Sequence, residues 1–127
     1  MLCIAVPAWL FYSLVSMPLE AQIIEPVTGK VDPVISARLG RDEHGVLFGN
    51  PKINPEQFPL LSRMRDYNSN TDYTVGELEA LIVEIERAGS LLKSEIKVGN
   101  FLGPFHSLCC LAFLRGKDVA LYADSEA

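Results

Sequence analysis

The chain has 127 residues, 49% apolar and 21% charged, with sixteen acidic against eleven basic side chains and a formal net charge of -5. That length suits a single domain over residues 1–127 with its own core, and the apolar share excludes a disordered, tail-like polypeptide. Basic residues are scattered among acids, Arg38 and Arg41 preceding Asp42 and Glu43, and Arg63 and Arg65 preceding Asp66, which disfavours nucleic acid and anionic membrane surfaces as partners.

Residues 2–16 (LCIAVPAWLFYSLVS) are rich in β-branched and aromatic side chains and are split by Pro7. They predict a buried strand with Pro7 at an edge or bulge, against a competing short helix over residues 8–15. Within residues 1–21, Leu19, Glu20 and Ala21 resemble a small-residue cleavage site for export. The first lysine, however, is Lys30, and Pro7 and Pro18 interrupt the apolar run, which argues against a signal. The same prolines argue against a membrane span, which needs about 20 predominantly apolar residues. Cysteines occur at Cys3, Cys109 and Cys110, an odd count with two neighbours that would strain if bridged, so a reducing, cytoplasmic setting is expected.

Between Met17 and Asn54 the breakers Pro18, Pro26, Gly29, Pro33, Gly40, Gly45, Gly49 and Pro51 leave room only for short elements. Residues 22–25, 34–39 and 46–48 read as extended, the last two joined as a hairpin around residues 42–45. A competing reading makes Asp32 an N-cap, Pro33 the first helical residue and Gly40 the stop of a two-turn helix. Residues 54–57 predict one helical turn. Pro59 then opens a second short helix through Leu60, Leu61, Met64 and Arg65 that ends at Tyr67.

Residues 75–92 carry the clearest helical pattern. Val75, Leu78, Leu81, Ile82, Ile85, Gly89 and Leu92 fall on one stripe, with Glu77, Glu84 and Arg87 assigned to the outer face. Gly99 and Asn100 read as a break, after which Gly103 and Pro104 open a second helix to Arg115, stopped by Gly116. Its LCCLAFL middle is apolar all round, which implies burial on more than one side, in the core or at an interface. Residues 118–124 alternate and predict a closing strand. The fold class is therefore α+β: a small, mainly antiparallel sheet with two main helices packed against it. The segments FPLLSRMRD and ELEALIVEIE resemble the layout of small bacterial domains, a resemblance that carries no activity with it.

The sharpest chemical signal is residues 66–77, DYNSNTDYTVGE. Oxygen side chains of Asp66, Asn68, Asn70, Asp72, Thr74 and Glu77 fall at the first, third, fifth, seventh, ninth and twelfth positions, the spacing of an EF-hand calcium loop. The sixth position, which needs glycine for the sharp turn, is Thr71; the eighth is Tyr73, and no second loop exists. The same residues spell a polar turn leading into a helix, with Thr74 as N-cap and Glu77 closing a capping box, and this use is the commoner one.

Other constellations are weaker. His106, Cys109 and Cys110 share a helix, but a structural zinc needs a fourth ligand and only Cys3 remains. A Cys/His nucleophile pair needs charge and exposure, which an apolar helix middle does not supply. His44 sits in a charged turn and reads as solvated. The serines lack a G-x-S-x-G setting, Gly40, Gly45 and Gly49 lack the lysine of a phosphate loop, and nothing selects one carboxylate pair for glycosidase-type work. Arg63, Arg65, Asp66, Tyr67 and Tyr73 cluster around one turn, either as a contact surface or as ties for the loop. No catalytic, cofactor or metal residue is assigned. The expectation is a non-catalytic domain that binds another protein or itself; a calcium module at residues 66–77 and an enzyme of unrecognised type are the alternatives.

Overall fold

A computed structural model describes residues 19–123. The strand expected over residues 2–16 and Cys3 lie outside the described residues, as does Asp124. The architecture is α+β, a small antiparallel sheet with helices packed against it. Among the described residues the sheet has four strands, β1 (Leu19–Ile24), β2 (Val31–Leu39), β3 (Thr71–Tyr73) and β4 (Asp118–Tyr122), in the order β2-β1-β4-β3. Helix α1 is Arg41–Gly49, α2 is Val75–Leu91 and α3 is Ile96–Arg115, with a 3-10 turn at Leu61–Arg65.

The first hairpin follows from its residue chemistry. Leu19, Ala21 and Ile23 of β1 are buried while Glu20 and Gln22 are partly exposed, the period of two that lets one face meet a core. The connection closes with Glu25 N–H on the Lys30 carbonyl at 2.9 Å and Gly29 N–H on the Glu25 carbonyl at 2.8 Å. Gly29 has φ +72°, a conformation that a side chain would strain. Gln22 faces Ser36 but Ile23 faces Asp32, so residues 33–35 loop out of the ladder. Pro33, which has no N–H to give, falls within that bulge. The alternative helix from Asp32 to Gly40 is thereby replaced by strand, as the extended reading of residues 34–39 expects.

The hairpin expected around residues 42–45 is not formed; residues 46–48 belong to α1. Gly40 takes an extended N-cap conformation (φ -73°, ψ 169°), Asp42 and Glu43 lie in the first turn where the helix dipole favours them, and Leu47 is buried. Gly45, read as a breaker, sits inside the helix at an exposed position, where it costs about 1 kcal/mol against alanine and no more.

Helix α3 also begins earlier than the glycines suggest, at Ile96 instead of Gly103. Pro104 removes one ladder hydrogen bond, a loss of about 3 kcal/mol. Val98, Phe101, Leu102 and Phe105 are all buried, each contributing roughly 1.5–3 kcal/mol, and Phe101 stacks on Phe105 at 4.9 Å between centroids. Packing outweighs the break, and both Pro104 and Asn100 face water. Gly116 ends the helix as expected, with φ +68° and Lys117 N–H on the Ala112 carbonyl at 2.9 Å.

Helix α3 packs on β1, β2 and β4, and α2 packs on α3 and reaches β3 and β4. The core gathers Leu19, Ile23 and Leu39 from the hairpin, Phe58, Leu61 and Met64 from the middle, and Leu78, Leu81, Phe105, Leu108, Val119 and Leu121 from the rest. Asp118 Oδ1 accepts the Val75 N–H at 2.9 Å, so β4 anchors the start of α2.

Candidate functional site

The region from Phe58 to Tyr73 holds most of the polar side chains singled out above, and buried groups fix its position. Glu84 is 6% exposed, not on the outer face of α2. Its Oε1 accepts the Leu61 N–H at 2.8 Å and the Leu60 N–H at 3.1 Å, and Oε2 reaches the Leu60 N–H at 3.2 Å. The carboxylate thus serves the opening N–H groups of the 3-10 turn, which have no partner within the turn itself. The Tyr73 hydroxyl donates to the Leu60 carbonyl at 2.6 Å from the other side, and burial pushes its ionisation well above the usual phenol range. Arg87 lies over the Phe58 ring at 4.6 Å. Spacing could have found Glu84, because positions 81, 84, 85 and 88 make one i, i+3, i+4, i+7 stripe.

The calcium spacing resolves into a set of ties. Thr74 and Glu77 form the expected capping box, with the Thr74 N–H on Glu77 Oε1 at 3.0 Å. Arg63 meets the same carboxylate with two parallel bonds of 3.0 and 2.5 Å, and Nη1 also reaches the Asp72 carbonyl at 3.1 Å. The guanidinium, then the Thr74 N–H, hold the Glu77 carboxyl down at about 2. Asp66 accepts the Ser69 hydroxyl at 2.7 Å and the Asn68 N–H at 2.9 Å, and those bonds lower its carboxyl. Asn70 Oδ1 accepts the Ala123 N–H at 2.8 Å, and the Thr71 hydroxyl donates to the Arg63 carbonyl at 3.1 Å. Thr71 is in strand β3, and among the described residues no residue other than glycine has a positive φ. Nor, among them, is any group of three or more His, Cys, Asp or Glu placed to hold a metal ion.

His44 is half-buried instead of solvated. Its Nε2 is 2.8 Å from the Met64 carbonyl, and its ring packs against Phe48 at 4.9 Å and Tyr67 at 5.0 Å. Desolvation dominates and lowers its pKa from 6.5. Arg41 covers the Tyr67 ring at 5.0 Å, and Arg65 covers Phe48 at 5.3 Å while donating to the Phe48 carbonyl at 3.2 Å and to the Ile53 carbonyl. Arg63, Arg65, Tyr67 and Tyr73 are thus joined to α1, α2 and the 3-10 turn, whereas Asp66 bonds to Asn68 and Ser69 within its own turn. A shallow groove of about 600 Å³ remains beside β3, lined by Arg63, Asn70, Thr71, Asp72 and Tyr122 among others.

At the end of α3 the LCCLAFL run, read as buried on more than one side in the core or at an interface, is covered in part. Leu108, Cys109 and Ala112 are buried, whereas Phe113 is 42% and Leu114 79% exposed. Arg115 pairs with Asp32 at 3.1 Å, and Lys117 reaches Asp32 at 3.1 Å and Glu25 at 2.8 Å, so this end of the helix lies against the β1–β2 hairpin. Val27 in the hairpin turn is 93% exposed. His106 faces Cys110 and not Cys109, whose thiol burial holds protonated. No helix among the described residues is long and apolar enough to cross a membrane. No protein-family model, curated protein or solved structure matches this chain.

Proposed function

We propose that this is a non-catalytic, self-associating domain of the cytoplasm, whose contact surface is the exposed end of α3 and whose occupant is a second copy of the same chain. The observation that carries this reading is the exposure of Phe113 and Leu114 beside a rim that contains both signs of charge. Arg115 and Lys117 supply two cations, and Asp32 and Glu25 two anions. A surface with balanced signs meets its own copy across a two-fold axis without net repulsion, whereas the acidic whole would be better matched by a basic partner elsewhere. Free thiols at Cys109 and Cys110 support a reducing compartment, and the acidic balance supports a partner other than nucleic acid.

Sedimentation equilibrium of the full chain over micromolar to millimolar concentrations tests the proposal. The wild type is expected to dimerise, and Leu114→Glu to weaken the dimer at least about tenfold by placing a charge in an apolar contact. Ile96→Glu, at an exposed position on the first turn of α3, is expected to leave it intact. A strict monomer throughout that range, or equal effects of the two substitutions, refutes the reading.

A further inference from the structure

The four charges at the exposed end of α3 stand in a fixed order. Lys117 Nζ lies between two carboxylates, 2.8 Å from Glu25 Oε2 and 3.1 Å from Asp32 Oδ2, and Arg115 Nη1 reaches the same Asp32 oxygen at 3.1 Å. Asp32 and Lys117 are the sheltered middle of the cluster. Arg115 and Glu25, of opposite sign, are its outer members, each with a side chain 42% exposed. Among the described residues the Arg115 side chain bonds through Nη1 alone, leaving most of its five-donor fork unused, and Glu25 meets Lys117 through one of its two carboxylate oxygens. Such a fork and such a carboxylate fit each other with two parallel bonds, as Arg63 and Glu77 do elsewhere in this chain. Arg115 directly follows Leu114, and the exposed Val27 lies two residues after Glu25, so apolar side chains and both outer charges share one end of the domain.

We propose that Arg115 of one copy pairs with Glu25 of a second copy, and Glu25 with Arg115 in return, and that these two pairs set the register of the dimer and select a second copy over other apolar partners; the proposal rests on the self-association reading. A two-fold contact is isologous, so any pair made by residues i and j is made twice, and the two exposed charges of opposite sign meet that condition. When Arg115 turns outward, Lys117 still holds Asp32, so the exchange strands no sheltered carboxylate. Phe113 and Leu114 supply apolar contact to any greasy surface. The charges discriminate, because a partner without an anion and a cation at matching positions leaves both groups stripped of water and unpaired.

The test mixes two full-length single variants, Arg115→Glu and Glu25→Arg, one of them isotope-labelled, and reads dimers by sedimentation and native mass spectrometry. Each variant alone sets like charges against each other at both contacts and is expected to self-associate about tenfold or more weakly than wild type. The equimolar mixture sets two carboxylates against two guanidiniums and is expected to recover dimer, as the mixed species, to within about threefold of wild type. Neither substitution repairs the other within one chain, so recovery reports contact between copies. The pairing is overturned if the mixture associates no better than the single variants, or if either variant alone dimerises like wild type. Where wild type dimerises and Leu114→Glu weakens it but the mixture fails, the pairing falls and the self-association reading stands; a wild type that stays monomeric overturns both. Should either charge reversal not fold, Arg115→Ala, Glu25→Ala and the double variant take its place. The double loss should then be well short of the product of the single losses, and a fully multiplicative result overturns the pairing.

Discussion

Replacing Glu84 by alanine tests how the middle of the chain is held. The carboxylate accepts the Leu60 and Leu61 N–H groups, the latter in a buried bond of 2.8 Å. Removal leaves the Leu61 donor without a partner away from water, a penalty of about 1–3 kcal/mol, while the partly buried Leu60 donor recovers some hydration. The vacated side-chain volume adds about 1 kcal/mol where the surroundings fail to collapse. Relief from burying a charge offsets part of this, so Glu84→Ala is expected to lose about 2–3 kcal/mol in urea unfolding, on the order of 10 °C in Tm. Glu84→Gln keeps an acceptor oxygen but turns an amide into a site shaped for acceptors, and should fall between alanine and wild type. If alanine lies within about 0.5 kcal/mol of wild type, the spread expected of a neutral surface change, the anchoring role is wrong.

Three further outcomes follow from the polar groups. Glu77 is held at about 2 against an ordinary 4.5, so its contribution is present above 4.5 and lost as pH falls towards 2; Glu77→Ala should flatten the acid limb of a stability–pH curve. His44 has the opposite charge type: burial lowers its pKa below 6.5, so the unfolded chain binds the proton more readily and stability declines as pH falls through that value. His44→Gln should remove that slope, measured as Tm against pH. Millimolar calcium is expected to shift Tm by less than about 1 °C in both wild type and Asp66→Ala; a calcium-dependent rise abolished by that substitution would restore the metal reading of residues 66–77.

The elements that were legible in the sequence are those whose local chemistry and tertiary surroundings agree. Thr74 and Glu77 cap α2, Gly29 and Gly116 take positive φ at turns, and the alternation of β4 places Val119 and Leu121 in the core. The misread elements are those where a partner distant in sequence decides. Gly45 and Pro104 are local breakers, yet the burial of Leu47 and of the Phe101–Phe105 pair carries the helix through each. Glu84 reads as outward because it is charged, although its spacing lies on the buried stripe; only the approach of Leu60 and Leu61 supplies its partners. His44 follows the same pattern, since Tyr67 and the Met64 carbonyl arrive from another segment. The contact-versus-tie ambiguity at Arg63 and Arg65 was not decidable from composition, because both uses require the same residue types.

Strand β4 pairs with β1 on one side and β3 on the other, although a ribosome makes it after every other described element. During synthesis the β1–β2 hairpin must therefore wait with one flank of β1 unpaired, and β3 has no neighbour at all. Helices α2 and α3 are local and form early, so the late step is the insertion of a single strand into a gap already framed on both sides. A nascent chain stalled just before Asp118 would present that gap to chaperones or to other nascent copies, making the interval before β4 emerges the period in which these strands are most open to mispairing.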